Sequence, residues 1–526
     1  MMALRCAAVL VCGLALVAQA GAQNQPEPNR GEETVVEIGN RRELFVDGYL
    51  ISRLHGAARL ELHRPIPRER VMVFDRPWEG ASSNYHSIFQ DGDRYRMYYR
   101  GSHLRFTDGK LDERPHPYFI GYAESSDGIN WRRPNVGLFE IDGSTENNVV
   151  LASGKYDGFQ VALGDAASMF KDENSAAPPG ARYKALVRYH DRATGRNGLM
   201  AFKSADGLRW LPMTDELIIT GDPFDSQNLA FWDPVRREYR AYWRSSLDAP
   251  GTPRGKVRAI RTAVSKDFLK WEGRTQVTYV DSPPEEIYTN QIRPYHRAPH
   301  IFIGFPTRYL ERPASAAMTA LPNREHREMR SRIVPRYGLG ITEGLLMASR
   351  DGVKFKRWKE AFLPPGIERD GTWNYGHQYI AWHIVETKSA IAGAPDELSL
   401  YAVEDYWTGR GSALRRYTLR LDGFVSVSAP MSGGEVVTRA LRFDGRKLSL
   451  NFATSAAGSV RVEIQDADGR ARPGFALDDC APVFGDALDR SVHWKNGPDV
   501  SSLAGEMNRL RFVIEDGEIY SFQFQD

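Results

Sequence analysis

From residue 85 onward the chain is built of short runs in which apolar and polar residues alternate, separated by clusters of Gly, Pro, Asp and Asn. A period of two between turn-forming residues is the pattern of half-buried β-strands. The runs gather into five groups. The first holds 85–90, 94–99 and 118–124, the second 168–170, 183–187 and 199–202, and the third 229–232, 239–243 and 258–264. The fourth holds 287–293, 301–305 and 339–347, with a charged insertion at about 310–335, and the fifth 378–384, 398–403 and 414–421. After about residue 430 the grouping stops, and 440–443, 448–452, 459–464, 510–514 and 518–524 alternate by themselves. No helix-length amphipathic pattern dominates any segment.

Four groups end in the same turn. It reads Ser125-Ser126-Asp127-Gly128-Ile129-Asn130-Trp131, then Ser204-Ala205-Asp206-Gly207-Leu208-Arg209-Trp210. Ser265-Lys266-Asp267-Phe268-Leu269-Lys270-Trp271 and Ser349-Arg350-Asp351-Gly352-Val353-Lys354-Phe355 follow, and Asp422-Gly423-Phe424 reads as a degenerate fifth copy. An Asp bonding its own backbone, a Gly at positive φ and an aromatic anchor describe a hairpin. Copies spaced by about 60 to 85 residues leave room for four strands each, the size of a propeller blade. The predicted fold is therefore all-β: a five-bladed β-propeller over 34–429, followed by a C-terminal β-sandwich over 430–526. The four repeat aspartates read as structural.

The first 22 residues change the picture of where the protein works. Arg5, an apolar run from Cys6 to Val17 and Ala18-Gln19-Ala20 have the form of a secretory signal peptide, and 23–33 reads as a linker. The run is too short for a membrane anchor. Without Cys6 and Cys12 only Cys480 remains, so no intrachain disulfide is expected in an exported, periplasmic or extracellular monomer. Lys and Arg (69) balance Asp and Glu (67) and are interspersed with them, which speaks against nucleic acid as a partner. The abundant Trp and Tyr fit core filling and carbohydrate stacking alike.

In a propeller the first strand of each blade lines the central channel, so its start converges with the others on one face, where the third strand also begins. The acids expected there are Asp165, Asp225 and Glu343, with Glu79 the nearest acid in the first blade. Two carboxylates of opposite protonation are what glycoside hydrolysis requires, and these four are the catalytic candidates. Asn84, Asn228, Glu286, Asn290, Arg293, Asp370 and Trp373 are the substrate-binding candidates, with Trp373 placed to stack on a sugar ring. Each has a competing reading as a turn former or a core residue. Arg293, His296, Arg297, His300 and Arg308 form a basic cluster that reads either as an anion clamp or as a solvated loop. No His/Cys spacing suggests zinc, and no Gly-rich loop or nucleophile elbow is present. No cofactor or metal is predicted, and a structural calcium in the channel is left open.

Several stretches resemble a known group. They are 73–80 (Val-Phe-Asp-Arg-Pro-Trp-Glu-Gly), 89–101 (Phe-Gln-Asp-Gly-Asp-Arg-Tyr-Arg-Met-Tyr-Tyr-Arg-Gly) and 224–234 (Phe-Asp-Ser-Gln-Asn-Leu-Ala-Phe-Trp-Asp-Pro). Tyr-Thr-Asn at 288–290, Ser-Arg-Asp-Gly at 349–352 and Leu-Arg-Arg-Tyr-Thr-Leu-Arg-Leu-Asp-Gly-Phe at 414–424 join them. Together they resemble secreted bacterial proteins similar to the propeller glycoside hydrolases of families 32 and 43, including the C-terminal sandwich of family 32. The resemblance implies acids from blades one, two and three as nucleophile or base, transition-state stabiliser and general acid. Asp165 falls on the second and Asp225 on the third. Ser83-Asn84 stands where the first is expected and no W-x-N-D-P-N-G motif is present, so Glu79 or Glu343 is left for that role. The departure points away from sucrose and fructan. The expected function is a glycosidase acting on a poly- or oligosaccharide. The alternatives are a non-catalytic carbohydrate-binding propeller, a phosphorylase using Arg293 and His296 for phosphate, and, more remotely, a sialidase, for which no arginine triad is evident.

Overall fold

The computed structural model describes residues 35–526 except 108, 113–114, 157–158 and 253, so the signal peptide and linker expected before residue 34 lie outside the described residues. The described chain forms five antiparallel blades around a channel and a C-terminal β-sheet structure. Blade one runs outward from Asn84–Asp91 through Arg94–Gly101 and Phe119–Ser125 to Val149–Ala152. Blade two is Leu163–Lys171, Tyr183–His190, Asn197–Ser204 and Leu211–Pro212, and blade three Leu229–Asp233, Glu238–Asp248, Lys256–Ser265 and Glu272–Gln276. Blade four is Arg293–Tyr295, Ala298–Gly304, Met347–Ser349 and Lys354–Arg357, with Thr278–Val280 added parallel on its outer edge. Alternation along these strands sends Ile88, Met97 and Phe302 into cores between blades, all fully buried.

The repeat turn is built as its sequence implies and does one thing more. In every copy the first Ser hydroxyl donates to the Asp, and the Asp Oδ1 accepts two backbone N–H groups; for Asp127 these come from Ile129 (2.8 Å) and Asn130 (2.7 Å). Gly128, Gly207 and Gly352 sit at φ of 74°, 78° and 76°. Their carbonyls accept the phenols of Tyr401 (2.6 Å), Tyr98 (2.8 Å) and Tyr242 (2.7 Å), each from the second strand of the preceding blade. The turn thus staples blade to blade. The third copy puts Phe268 at φ 69° where the others have Gly. The left-handed conformation costs about 1–2 kcal/mol. Full burial of the ring between Phe170 and Tyr239 returns about 2–3 kcal/mol, so the exchange is tolerated.

Two expectations change. Asp422-Gly423-Phe424 does not lead into an outer strand of blade five. Blade five is Val385–Thr387, Glu397–Glu404 and Ala413–Leu419, and its outer strand, Ile66–Val73, comes from the other end of the chain. Asp422, fully buried at φ 63°, instead joins the two parts of the molecule: it accepts from Tyr295 Oη (2.8 Å), Arg297 Nε (2.8 Å), Ser521 Oγ (2.8 Å) and Asn451 Nδ2 (3.2 Å). Secondly, the early residues do not belong to the propeller. Glu43–Leu44, Ile51–Gly56 and Arg59–Leu62 pair with Arg509–Gln525, Gly434–Thr438 and Val425–Ala429, and Val36–Gly39 lies parallel to Leu441–Phe443. The C-terminal sheet structure therefore takes in residues 36–62 and begins again at Val425, ahead of the expected boundary at 430. Its core stacks Phe443 on Phe524 at 3.6 Å and packs Phe45 against Phe512 and Phe522; Cys480 is buried and unpaired within it.

The charged insertion folds as helices Ala316–Ala320, Arg324–Ile333 and Pro335–Leu339, contrary to the absence of a helical pattern. In the longest of them, Arg324–Ile333, the buried positions are Arg327 and Arg330 rather than apolar residues, so that helix has no hydrophobic period to be read; Met318 of the first helix is buried with Leu321 and Ile341. Glu325 in the first turn and Arg330 and Arg332 in the last complement the helix dipole. No described helix is long and apolar enough to cross a membrane.

Closure of the ring centres on Glu404. Its buried carboxylate accepts from Arg415 Nε (2.6 Å), Arg70 Nε (3.0 Å) of the closing strand, and Arg369. Burial by itself raises this carboxyl, but the Arg415 and Arg369 contacts outweigh it and bring it down to about 2. A lowered carboxylate stabilises the fold above its ordinary value of 4.5, and that stabilisation drains away as pH falls through about 2. Glu404→Gln leaves Arg369 and Arg415 without a counter-charge, while Arg70 keeps Asp405 at 3.0 Å, and is expected to cost about 3 kcal/mol at neutral pH. Chemical unfolding followed by circular dichroism checks this: the gap from the parent narrows below pH 4.5, and a gap unchanged at acid pH refutes the assignment.

Candidate functional site

The inner strands begin on one face of the ring, and there a pocket of about 170 Å³ opens. Asp165 stands on the inner strand of blade two and Asp225 on the loop leading into blade three. That loop is held tightly: Phe224 is buried at φ 54°, and Asn228 Nδ2 donates to the carbonyls of Phe224 and Ser226, both at 2.9 Å. Asn228 is thus a loop clamp rather than a substrate contact. Asp225, half exposed to the cavity, stands beside the nearly buried Asp165.

Three arginines grip the two carboxylates. Arg188 Nη1 donates to Asp165 Oδ1 at 2.5 Å and lies 3.7 Å from Asp225 Oδ1; Arg244 Nη1 donates to Asp225 Oδ2 at 2.6 Å. Arg100 Nη1 donates to the Asp165 carbonyl at 3.2 Å, and its Nη2 donates to the Ser82 carbonyl (2.6 Å) and Tyr406 Oη (3.1 Å). These arginines occupy one position in the second strands of blades one, two and three. The readable signal is Tyr-cation-x-x-x-Arg: Tyr95-Arg96 to Arg100, Tyr183-Lys184 to Arg188, and Tyr239-Arg240 to Arg244. The sequence reading missed it because arginine in a strand ordinarily faces solvent.

The pair is electrostatically unequal. For Asp165 burial works upward, but Arg188 and Arg100 outweigh it and hold the carboxyl below the ordinary range. For Asp225 crowding by protein comes first and the Asp165 charge second, and together they push its carboxyl up. Both carboxylates face Arg188 Nη1, so they titrate as a pair, in which Asp225 is the one that holds a proton to the higher pH.

The walls are aromatic. Tyr288 stacks on Tyr379 (5.5 Å between rings), Tyr406 on Trp407 (5.5 Å), and Tyr375 leans on Trp407 (4.5 Å). Burial keeps the phenols of Tyr85, Tyr288 and Tyr375 well above their ordinary range, so they remain hydroxyl donors. Backbone strain gathers here, with Tyr85, Phe224 and Trp407 at φ 57°, 54° and 58°. Arg336 and Tyr337 of the helical insertion complete the rim. Below, the channel is shut. Gln227 Nε2 donates to the Tyr85 carbonyl (3.0 Å), Gln291 Nε2 donates to Gln227 Oε1 (2.8 Å) and the Ile380 carbonyl (3.0 Å), and Trp382 is fully buried beside them.

The other predicted residues disperse. Glu79 is buried away from the pocket, bound by Arg133 Nε (2.8 Å) and Tyr99 Oη (2.5 Å). Glu343 holds Arg308 through two bonds of 2.6 and 2.8 Å, outside the pocket. Glu286 lies one layer behind, accepting from the Arg258 backbone and Nη1 at 2.9 Å each. Asn84, at the start of the inner strand of blade one, and Asn290, in the loop ahead of the inner strand of blade four, are buried without lining the cavity. Asp370 is at the surface with Arg410 (2.7 Å), and Trp373 packs under the insertion with Nε1 donating to the Gly366 carbonyl (2.8 Å). Arg293 and His296 line a separate cavity at the opposite mouth, beyond the glutamine plug, which removes the phosphorylase geometry. Arg297 and His300 are spent on Asp422 (2.8 Å) and Glu43 (3.0 Å).

No family model matches the sequence. Two uncharacterized proteins of Mycobacterium tuberculosis are each 32% identical over 120 residues, which is 21% of this chain and 38% of theirs. The chain thus spans well under half the length of the curated relatives it matches. Among solved structures it is similar to a glycoside hydrolase family 43 arabinoxylan arabinofuranohydrolase from Bacillus subtilis in complex with cellotetraose, at 12% identity and TM-score 0.39 over 85% of this chain and 96% of that one. A fructofuranosidase variant from Schwanniomyces occidentalis complexed with fructosylnystose gives 10% identity and TM-score 0.37 over 86% and 96%. An endo-arabinase from Bacteroides thetaiotaomicron gives 10% and 0.37 over 68% and 97%. These are likenesses of fold.

Removing the Asp165 charge takes away the repulsion that holds the neighbouring proton and frees Arg188 for Asp225. Asp165→Asn is therefore expected to lower the pH at which Asp225 titrates, as followed by carboxyl carbon NMR. An unchanged or higher titration point contradicts the coupling.

Proposed function

We propose that the protein is an exported glycoside hydrolase that takes the end of a carbohydrate chain into the Asp165–Asp225 pocket. One observation carries the reading: two adjacent carboxylates with protonation pushed in opposite directions, at the foot of an aromatic-walled pocket. Asp225 serves as the acid. It gives its proton to the glycosidic oxygen as the bond to the anomeric carbon breaks. The positive charge that develops faces Asp165, which Arg100 and Arg188 keep ionised. Water adds to the anomeric carbon, and its proton returns to the pair. Tyr and Trp faces seat the sugar ring, and the plug of Gln227 and Gln291 favours a terminal residue over a chain threading through.

A second reading, a carbohydrate-binding propeller without turnover, has its own support. Blade one offers Ser82, Ser83 and Asn84 where a third acid would stand, and the described residues lining the pocket include no carboxylate besides Asp165 and Asp225.

Reducing-sugar release from a panel of oligosaccharides separates the two. Asp225→Asn is expected to lower turnover about a hundred- to ten-thousandfold while glycan binding persists. For the parent, activity should fall as pH rises through the Asp225 titration, because only its protonated form donates. A parent protein that binds glycans and releases no sugar from any of them leaves the binding reading in place of the enzyme.

A further inference from the structure

The pocket continues sideways into a cleft of about 190 Å³ that shares Asp225, Arg258 and Arg336 with it and adds Arg244, Arg254, Lys256 and one further carboxylate, Glu286. Its charge is unbalanced. Arg244 is met by Asp225 at 2.6 Å, Arg258 by Glu286 at 2.9 Å, and Arg254 by the surface residue Glu311 at 3.3 Å. Lys256 and Arg336 make no ion pair among the described residues. Asp248 stands opposite Lys256 in the strand ladder and makes no ion pair with it. The lysine lies two residues before Arg258 on one strand, so both side chains leave the same face. Arg336 comes from the other direction, on the helical insertion, with its guanidinium 5.4 Å from the Tyr337 ring. Two chain segments distant in sequence thus deliver cations without counter-ions to one concavity next to the proton donor.

From this we infer that the cleft is a subsite for an acidic sugar: the glycan carries an anionic substituent, a carboxylate or a sulfate ester, on the residue adjoining the one held between Asp165 and Asp225. The inference rests on the carbohydrate reading of that pocket. Guanidinium groups match the geometry of either oxyanion, and a concave wall of one sign concentrates ligands of the other.

Matched probes test the idea by calorimetry and by sugar release. Oligogalacturonate is compared with its methyl ester, and a sulfated galactan oligosaccharide with its desulfated form, so that within each pair only charge differs. Tighter binding of a charged member, weakening with salt, supports the subsite, and the pair that shows it identifies carboxylate or sulfate. Arg254→Gln with Lys256→Gln should then weaken that member about tenfold and leave its neutral partner unchanged. Equal binding within both pairs, equal weakening of charged and neutral members, or no binding of any charged probe overturns the inference. Its fate is separable from that of the hydrolase. Preferential charged binding without cleavage sinks the enzyme and keeps the subsite, whereas cleavage of neutral glycans alone does the reverse.

Discussion

The structure depends on a ring that has to close. A propeller blade buries its faces only against its two neighbours, so an open ring leaves two blade faces in water and loses the apolar burial that offsets chain entropy. Here the closing strand is Ile66–Val73, laid antiparallel on Ala413–Leu419 about 350 residues away in sequence, and Glu404 ties it through Arg70 while holding Arg369 and Arg415. The consequences run outward. With residue 66 fixed on the rim of blade five, the segment before it lies where the C-terminal strands arrive, and residues 36–62 complete that second sheet. Asp422 sits at the meeting point and bonds both parts at once.

Within the ring, the repeated turns and the site occupy opposite roles on the same strands. The second strand of a blade gives a tyrosine to the neighbouring repeat turn, as Tyr98 and Tyr242 do. Two residues further along, the same strand gives an arginine to the channel mouth, as Arg100 and Arg244 do. Strand rigidity therefore transfers from the staples to the carboxylates. Three blades contribute equivalent arginines to two acids, and their unequal sharing drives the Asp165 and Asp225 protonation states apart. The opposite cavity, with Arg293 and His296, is sealed from this chemistry by Gln227 and Gln291.

The site was legible in part. Asp165 and Asp225 could be placed because a strand start is a position in sequence, and in a propeller strand starts converge. Glu343 and Glu79 could not, because whether an acid faces a cavity or an arginine depends on the partner strand: Arg308 lies directly opposite Glu343 in its ladder, and Arg133 reaches Glu79 from 54 residues away. The arginine positions were in the sequence as a repeat, yet polarity alone assigns such residues to solvent. The helical insertion was hidden for a related reason, since the buried side chains of its longest helix are arginines.

By itself the sequence determined what is local: strands from alternation, turns from Ser, Asp and Gly at fixed spacing, the blade number from the repeats, and two acids at strand starts. Tertiary structure alone decided what is long-range. It chose the strand that closes blade five, gave residues 36–62 to the C-terminal sheet, and turned Asp422 from a turn residue into a joint. It also selected which charges meet, because an ion pair is set by distance in space, and the pairing of distant strands, which no local pattern encodes, fixes that distance.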